Sequence, residues 1–182
     1  MRTLFLLGIA LTTFLFANSL IIKQYKTLKT TILVSDADWE NLNLMIERSP
    51  IDKVKENFEL FVKKNALQTT AINCKNGKYF GFTPADDYGY FHVVFLEIHQ
   101  GSIINIHYDE LKSNGKNKRT DLGYNREMLK TGTSPSIAYP IYEDELIRNQ
   151  DYMNIDAITG ATYSLYRFRM AVAKAFEKAI IN

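Results

Sequence analysis

YGYFHVVFLEIHQGSIINIHYDE, residues 88–110, decides the fold. Tyr88–His99 is the longest β-like run in the chain, Gln100-Gly101 offers a turn, and Ser102–Asp109 forms the returning run. Aromatic and β-branched residues suit a pleated surface, and a glycine-bearing pair between two such runs predicts a hairpin. Just upstream, Thr70, Ile72 and Cys74 alternate with polar neighbours, Asn76-Gly77 marks a second tight turn, and LysTyrPheGlyPhe follows at 78–82. Together these runs predict an antiparallel sheet of about four strands.

Helical spacing surrounds this β core. Residues 23–34 are ambiguous, with a short strand readable at 30–34. Ser35 or Asp36 then caps a helix carrying Trp39, Leu42, Met45 and Ile46. Ser49-Pro50 starts a second, whose stripe is Ile51, Val54, Phe58, Phe61 and Val62. Loop signals run from Glu110 to Gly123, and a short helix at Tyr124–Thr131 stops at Gly132. A stretch punctuated by Pro135 and Pro140 leads to another short helix near Tyr142–Asn149. An extended segment at 153–156 and a turn precede a last helix, about 164–181. Leu165, Phe168, Val172, Ala175, Phe176 and Ala179 form its apolar stripe, with Arg167, Lys174 and Lys178 off it. The expected class is α+β: a sheet packed with helices, an N-terminal helical pair and a long C-terminal helix.

Composition bounds the rest. The chain has 182 residues, 46% hydrophobic and 23% charged, with Gly 9 and Pro 4, which is globular rather than fibrous or disordered. Lys+Arg 22 against Asp+Glu 20 leaves +2, so charge points to neither nucleic acid nor an acidic substrate. A single cysteine, Cys74, excludes an intrachain disulfide, a CxxC pair and a cysteine-based metal cluster. Met1-Arg2 precedes the uncharged stretch TLFLLGIALTTFLFA, Thr3–Ala17, which has the pattern of an export signal with a cut after Ser19 or Ala17. Leu20, Ile21 and Ile22 lengthen the stretch, so an uncleaved anchor is the second reading. The expected division is a signal or anchor at 1–19, a mainly helical region at 20–72 and a third region at 73–182.

Chemistry concentrates at DAITGAT, Asp156–Thr162. It reads as a strand end, a glycine turn and a helix start. Small residues admit close approach of the backbone, and the first N–H groups of the helix are open to an anion. Thr159, Thr162 and Ser164 add hydroxyls. An equally simple reading makes them helix caps around an ordinary glycine turn.

The seven residues resemble the flavinylation pattern of the FMN-binding domain family, Asp-x-x-(Ser/Thr)-Gly-Ala-Thr, at every fixed position. The resemblance extends over roughly residues 73–182, through AsnGlyLysTyrPheGly at 76–81, the hairpin, GlyThrSerPro at 132–135 and the segment ending in TyrSer at 163–164. Residues 20–72 lie outside it. The resemblance implies FMN joined through its phosphate to Thr162 by a separate flavin transferase that uses FAD and magnesium. Asp156, Thr159, Gly160 and Ala161 would position it, and Ser164 lies at the same helix start. It implies electron carriage outside the cytoplasm, in the periplasm or at the outer membrane face, between membrane or extracytoplasmic redox partners, rather than autonomous enzyme action.

Other features are weighed against this. Gly132, Ser134 and Pro135 fall in the family-like stretch, and Tyr88, Met128 and Tyr139 are candidate ring contacts. If Gln100-Gly101 is a two-residue turn, His92 pairs with Asp109 and Val94 with His107, putting His92, His107 and Asp109 on one face as a candidate metal triad; ordinary mixed polar pairs on a sheet face are the expectation preferred. Lys112, Lys116, Lys118 and Arg119 read as a solvated loop. Two other functions stand beside the carrier: a cofactor-free exported binding or surface protein of the same fold, and an electron-entry subunit of an extracytoplasmic flavin-dependent reductase.

Overall fold

The computed structural model describes residues 34–181. The export-signal reading and all but the last residue of the 30–34 segment lie outside them. Helices α1 (Asp36–Arg48) and α2 (Ile51–Lys64) are followed by strands β1 (Gly77–Phe82), β2 (Tyr90–His99) and β3 (Ser102–Lys112), then helices α3 (Leu122–Leu129), α4 (Pro135–Asn149) and α5 (Thr162–Ile181). The sheet is an antiparallel meander of three strands in the order β1-β2-β3, one fewer than the sequence predicts.

The missing strand is the one expected at 70–74. Ile72, the middle of its supposed inner face, is 74% exposed while Ala71 is buried. The Cys74 N–H closes a turn on the Ala71 carbonyl, and Thr70 makes only an isolated bridge to Asp151. Alternation over five residues was outweighed by a turn that buries Ala71 and Cys74, three residues apart, rather than every second residue.

The central hairpin forms as its sequence predicts. Gln100 (φ 49°) and Gly101 (φ 74°) both occupy the left-handed region, the signature of a turn whose twist matches the strands. A bulge between Glu97 and Ile98 shifts the register, so His92 faces Glu110, Val93 faces Asp109 and Phe95 faces His107. His92 and Glu110 therefore share the inner face with Val94 and Tyr108, while His107 and Asp109 point to the other side. The candidate triad of His92, His107 and Asp109, weighed against ordinary polar pairs, is not formed, because one inserted residue exchanges the faces of half a strand.

The Ser35 side chain caps α1, and Trp39, Leu42 and Ile46 are buried; Val54, Phe58 and Val62 of α2 meet them in the same core. Pro50 itself occupies the cap, so α2 begins one residue later than expected. Ser134 caps α4 and Pro135 opens it, making this helix seven residues longer at its start than the reading from Tyr142. Pro140 sits inside it, forgoing a bond to the Ser136 carbonyl; the helix survives because Ala138, Tyr139 and Tyr142 are anchored in the core.

Helix α5 lies between the sheet and the α1–α2 pair, and it is buried on every side from Leu165 to Ala179. Arg167, Lys174 and Lys178, expected off the buried stripe, are only 8%, 6% and 8% exposed. The cations are accommodated locally. Lys174 lies over the rings of Trp39 and Phe82, and the Lys178 ammonium donates to the Phe80 carbonyl at 2.6 Å. Among the described residues no helix is long and apolar enough to cross a membrane.

The packing of α5 on β1 is direct. A Cβ placed on Gly81 would stand 1.8 Å from the Ala171 carbonyl oxygen and 2.8 Å from the Ala175 nitrogen. We expect Gly81→Ala to force α5 off the strand and to cost about 3 kcal/mol or more in denaturant unfolding.

Burial, with Lys174 adding, pushes the Lys178 ammonium down to about 8 from its ordinary 10.5. Above pH 8 the unfolded chain retains a proton that the folded one has released, so this group raises stability with pH. Relative to Lys178→Met, the wild-type melting temperature should climb between pH 8 and 9; parallel profiles would contradict this.

Candidate functional site

The turn before α5 is built by its own residues and pinned by α4. The Ala161 N–H donates to the Ile158 carbonyl at 2.9 Å, closing a turn in which Gly160 has φ +85°. A Cβ there would meet its nearest neighbour, the Thr131 carbonyl, at an ordinary 3.4 Å, so it is the backbone conformation rather than crowding that demands glycine. The Tyr142 hydroxyl donates to the Ala161 carbonyl at 3.1 Å and accepts from the Ile158 N–H at 3.4 Å. The first helical bond runs from the Leu165 N–H to Ala161. The N–H groups of Thr162, Tyr163 and Ser164 therefore precede the intrahelical ladder and lie where the helix favours an anion.

A cleft of 270 Å³ opens beside this turn, and a small cavity of 30 Å³ adjoins it; Glu110, Tyr124, Met128, Gly160 and Ser164 line both. Tyr163, Ser164 and Arg167 of α5 form one side of the cleft, Asp86, Tyr88, His92 and Lys118 others. Glu47 of α1 completes it. That wall is tied in place: the Tyr163 hydroxyl donates to the Ser49 carbonyl at 3.1 Å, the Asp87 N–H to Glu47 at 2.7 Å, and Arg167 Nη2 lies 3.5 Å from the same carboxylate.

The inner sheet face turns polar at this end. Glu110, 1% exposed, accepts from the hydroxyls of Tyr139 and Ser164 and pairs with the Lys118 ammonium. Burial opposes the charge on Lys118, but Glu110 more than offsets it and the pKa is raised. On the far face, burial lifts the Asp109 carboxyl to about 7 although the N–H groups of Glu110 and Arg119 bond it.

His92, also 1% exposed, places Nδ1 2.7 Å from the Tyr108 hydroxyl. That hydroxyl has one proton and donates it to the Ser164 carbonyl at 3.1 Å; the tautomer that matches this bond carries the imidazole hydrogen on Nδ1. Burial, reinforced by Arg167 and Lys118, holds the ring pKa well below its usual value, so the imidazole is neutral. Nε2 is left as a bare lone pair, buried and without a partner among the described residues. Arg167 Nε and Nη2 likewise make no hydrogen bond among these residues.

Donor atoms of Asp86, His92 and Glu110 lie within 4.8 Å of one another, a spacing that a metal ion tolerates. The chain's own cations answer this charge: Lys118 sits on Glu110, and a divalent ion would have to displace it. Lys118 and Arg119 are thus not solvated as expected. Arg119 forms a forked pair with Glu143 at 2.6 and 3.0 Å. Asn125, which the sequence reading passed over, receives the Ser136 N–H and donates to the carbonyls of Lys118, Arg119 and Asp121, fixing the loop that presents Lys118.

Of the residues singled out from the sequence, Gly160, Ala161, Ser164, Ser134, Pro135, Met128, Tyr139 and Tyr88 line the two cavities. Tyr139 does so with a ring packed on Tyr108 at 4.4 Å and its hydroxyl on Glu110, so it braces the floor. Thr162, the first residue of α5, is half-buried between Ala161 and Tyr163 and itself lines neither cavity. Asp156 and Thr159 are exposed on the approach to the turn, and Gly132 ends the α3 segment at φ 115° without lining either cavity. Glu47, Asp86, Lys118 and Arg167 were missed as site residues; no local motif marks them, since only the folded chain gathers them.

Comparison with solved structures adds relatives of known shape. The CPE2226 protein from Clostridium perfringens is 34% identical, with a TM-score of 0.55 over 58% of this chain and 88% of that one. A solution NMR structure of a protein from Clostridium thermocellum is 21% identical over 58% of this chain and 92% of that one, with a TM-score of 0.38. No protein-family model and no curated protein matches.

Removing the Tyr142 hydroxyl would strand a buried carbonyl and an N–H at the turn. We expect Tyr142→Phe to lose about 1–3 kcal/mol in unfolding experiments and to speed amide exchange at Ile158.

Proposed function

We propose that this chain, which belongs to the same family as the CPE2226 protein from Clostridium perfringens, carries electrons outside the cytoplasm through FMN joined by a phosphoester to Thr162. The observation that carries the reading is the junction at Gly160–Ser164, a left-handed glycine turn opening a helix in which Tyr163 and Ser164, next to Thr162, line a cleft of 270 Å³. The residues present fit the group. Thr162 offers a hydroxyl at a helix start that favours the remaining phosphate charge, and the cleft holds unpartnered buried polar atoms for a polar ring.

Attachment is a transfer. The Thr162 oxygen would displace AMP from the FMN phosphorus of FAD, giving up its proton, with a flavin transferase and magnesium supplying the catalysis. When bound, FMN supplies the redox chemistry, accepting and passing on electrons one or two at a time. The protein orients and partly shields it. Tyr88, 76% exposed at the cleft edge, leaves that side open to a redox partner. Export, and delivery to membrane or extracytoplasmic partners, follow from the residue pattern at 1–19 and from the family resemblance. A cofactor-free binding protein would not need the complete Asp156–Thr162 pattern beside an empty-handed polar floor.

Intact-mass measurement on protein exported from cells with a working flavin transferase tests the reading. The polypeptide should carry the mass of FMN less one water, lost in Thr162→Ala. Gly160→Val should lower flavin occupancy several-fold, since a branched residue at φ +85° distorts the acceptor turn. Unmodified wild-type protein under those conditions would overturn the proposal.

A further inference from the structure

The cleft floor holds one bare acceptor and several unused donors. In the tautomer that matches the Tyr108 hydroxyl's bond to Ser164, the hydrogen is on Nδ1 and His92 Nε2 is an acceptor. Arg167 can only donate: its Nε makes no hydrogen bond among the described residues, and Nη2 has the Glu47 carboxylate at 3.5 Å. Lys118 has three N–H bonds and directs one of them to Glu110. All three side chains line the same cleft. A buried acceptor and a buried donor without hydrogen-bond partners are costly to leave unmatched, so a floor that keeps His92 Nε2 and Arg167 Nε in one cleft is complementary to something that enters it.

We propose that this floor reads the imide edge of a flavin ring, the C=O, N–H, C=O sequence of its pyrimidine portion, with His92 Nε2 accepting the imide hydrogen and Arg167 and Lys118 donating to the flanking carbonyls. An imide presents acceptor, donor, acceptor; the floor supplies the complementary set, one acceptor and two donor-bearing side chains. The match is chemical and leaves Asp86 and Glu110 in their present bonds: Asp86 accepts from the N–H groups of Tyr88 and Tyr90, and Glu110 from Tyr139 and Ser164. A metal ion at the same place would use His92 Nε2 but would have to displace Lys118 and would leave Arg167 Nε without a partner. Both donors also carry positive charge, which favours the ring once reduction has made it anionic.

The natural ligand's identity rests on the FMN reading, but recognition of the imide is testable without the covalent bond. The experiment uses full-length Thr162→Ala protein made without a flavin transferase, titrated with riboflavin and with 3-methylriboflavin, whose imide hydrogen is replaced. Riboflavin fluorescence should be quenched on binding, with 3-methylriboflavin at least tenfold weaker. In His92→Leu the two ligands should bind equally and weakly, whereas His92→Gln, which keeps an acceptor oxygen, should restore part of the preference. Arg167→Met should weaken riboflavin binding about tenfold while the preference for the unmethylated ring persists. Circular dichroism on each variant checks that the fold is retained.

Equal binding of the two ligands by the parent, failure of riboflavin to bind, or discrimination that survives His92→Leu would each overturn the proposal. Covalent FMN in the mass measurement together with equal binding would sink this inference alone. An unmodified Thr162 with intact discrimination would sink only the covalent reading.

Discussion

Helix α5 rests on bare backbone. At Gly81 there is no room for even one carbon between the strand and the Ala171 carbonyl, and that contact sets the height at which the helix lies on the sheet. With the height fixed, the helix is close enough for Leu165, Phe168, Val172 and Phe176 to fill the space above β1 and β2 and for α1 and α2 to close over its back. Burial on all sides follows, and with it the burial of Arg167, Lys174 and Lys178. The same placement delivers the start of the helix, Thr162–Ser164, to the polar end of the sheet's inner face.

That face changes character along its length. Leu96 and Ile98 are apolar and fully covered, whereas His92 and Glu110 at the other end are covered equally well and are polar. Most of this polarity is satisfied internally, with Glu110 collecting two hydroxyls and an ammonium. His92 Nε2 is the exception on that face, and His92 lines the open cleft together with Arg167 of α5. Binding chemistry is thus concentrated where the helix begins, and structural packing where it continues.

Local rules were legible where a few neighbouring residues decide the outcome. Gln100-Gly101 specifies its turn, Ser35 its cap, and Gly160 its left-handed backbone, each without help from distant chain. Long-range effects were not. The bulge at Glu97/Ile98 has no sequence mark, yet it determines which histidine joins Glu110. Pro140 argued against the helix that contains it, and tertiary anchoring of Tyr139 and Tyr142 prevailed. The cations of α5 looked solvent-facing because a helical stripe assumes one buried side, and this helix has neighbours on two. For the candidate site, the turn and several lining residues were readable from DAITGAT and its surroundings. The floor was not, because Glu47, Asp86, His92, Lys118 and Arg167 come from five separate segments.

The link between Tyr163 and Ser49 joins the beginning of the last helix to the junction of the first two, 114 positions apart in sequence. Glu47 stands beside that junction and forms part of the hollow's boundary. The early helices are therefore more than an appendage to the sheet. A version of the molecule trimmed to start at its first strand would admit solvent along one flank, raise the local dielectric, and dilute each polar contact that a guest in the hollow could make.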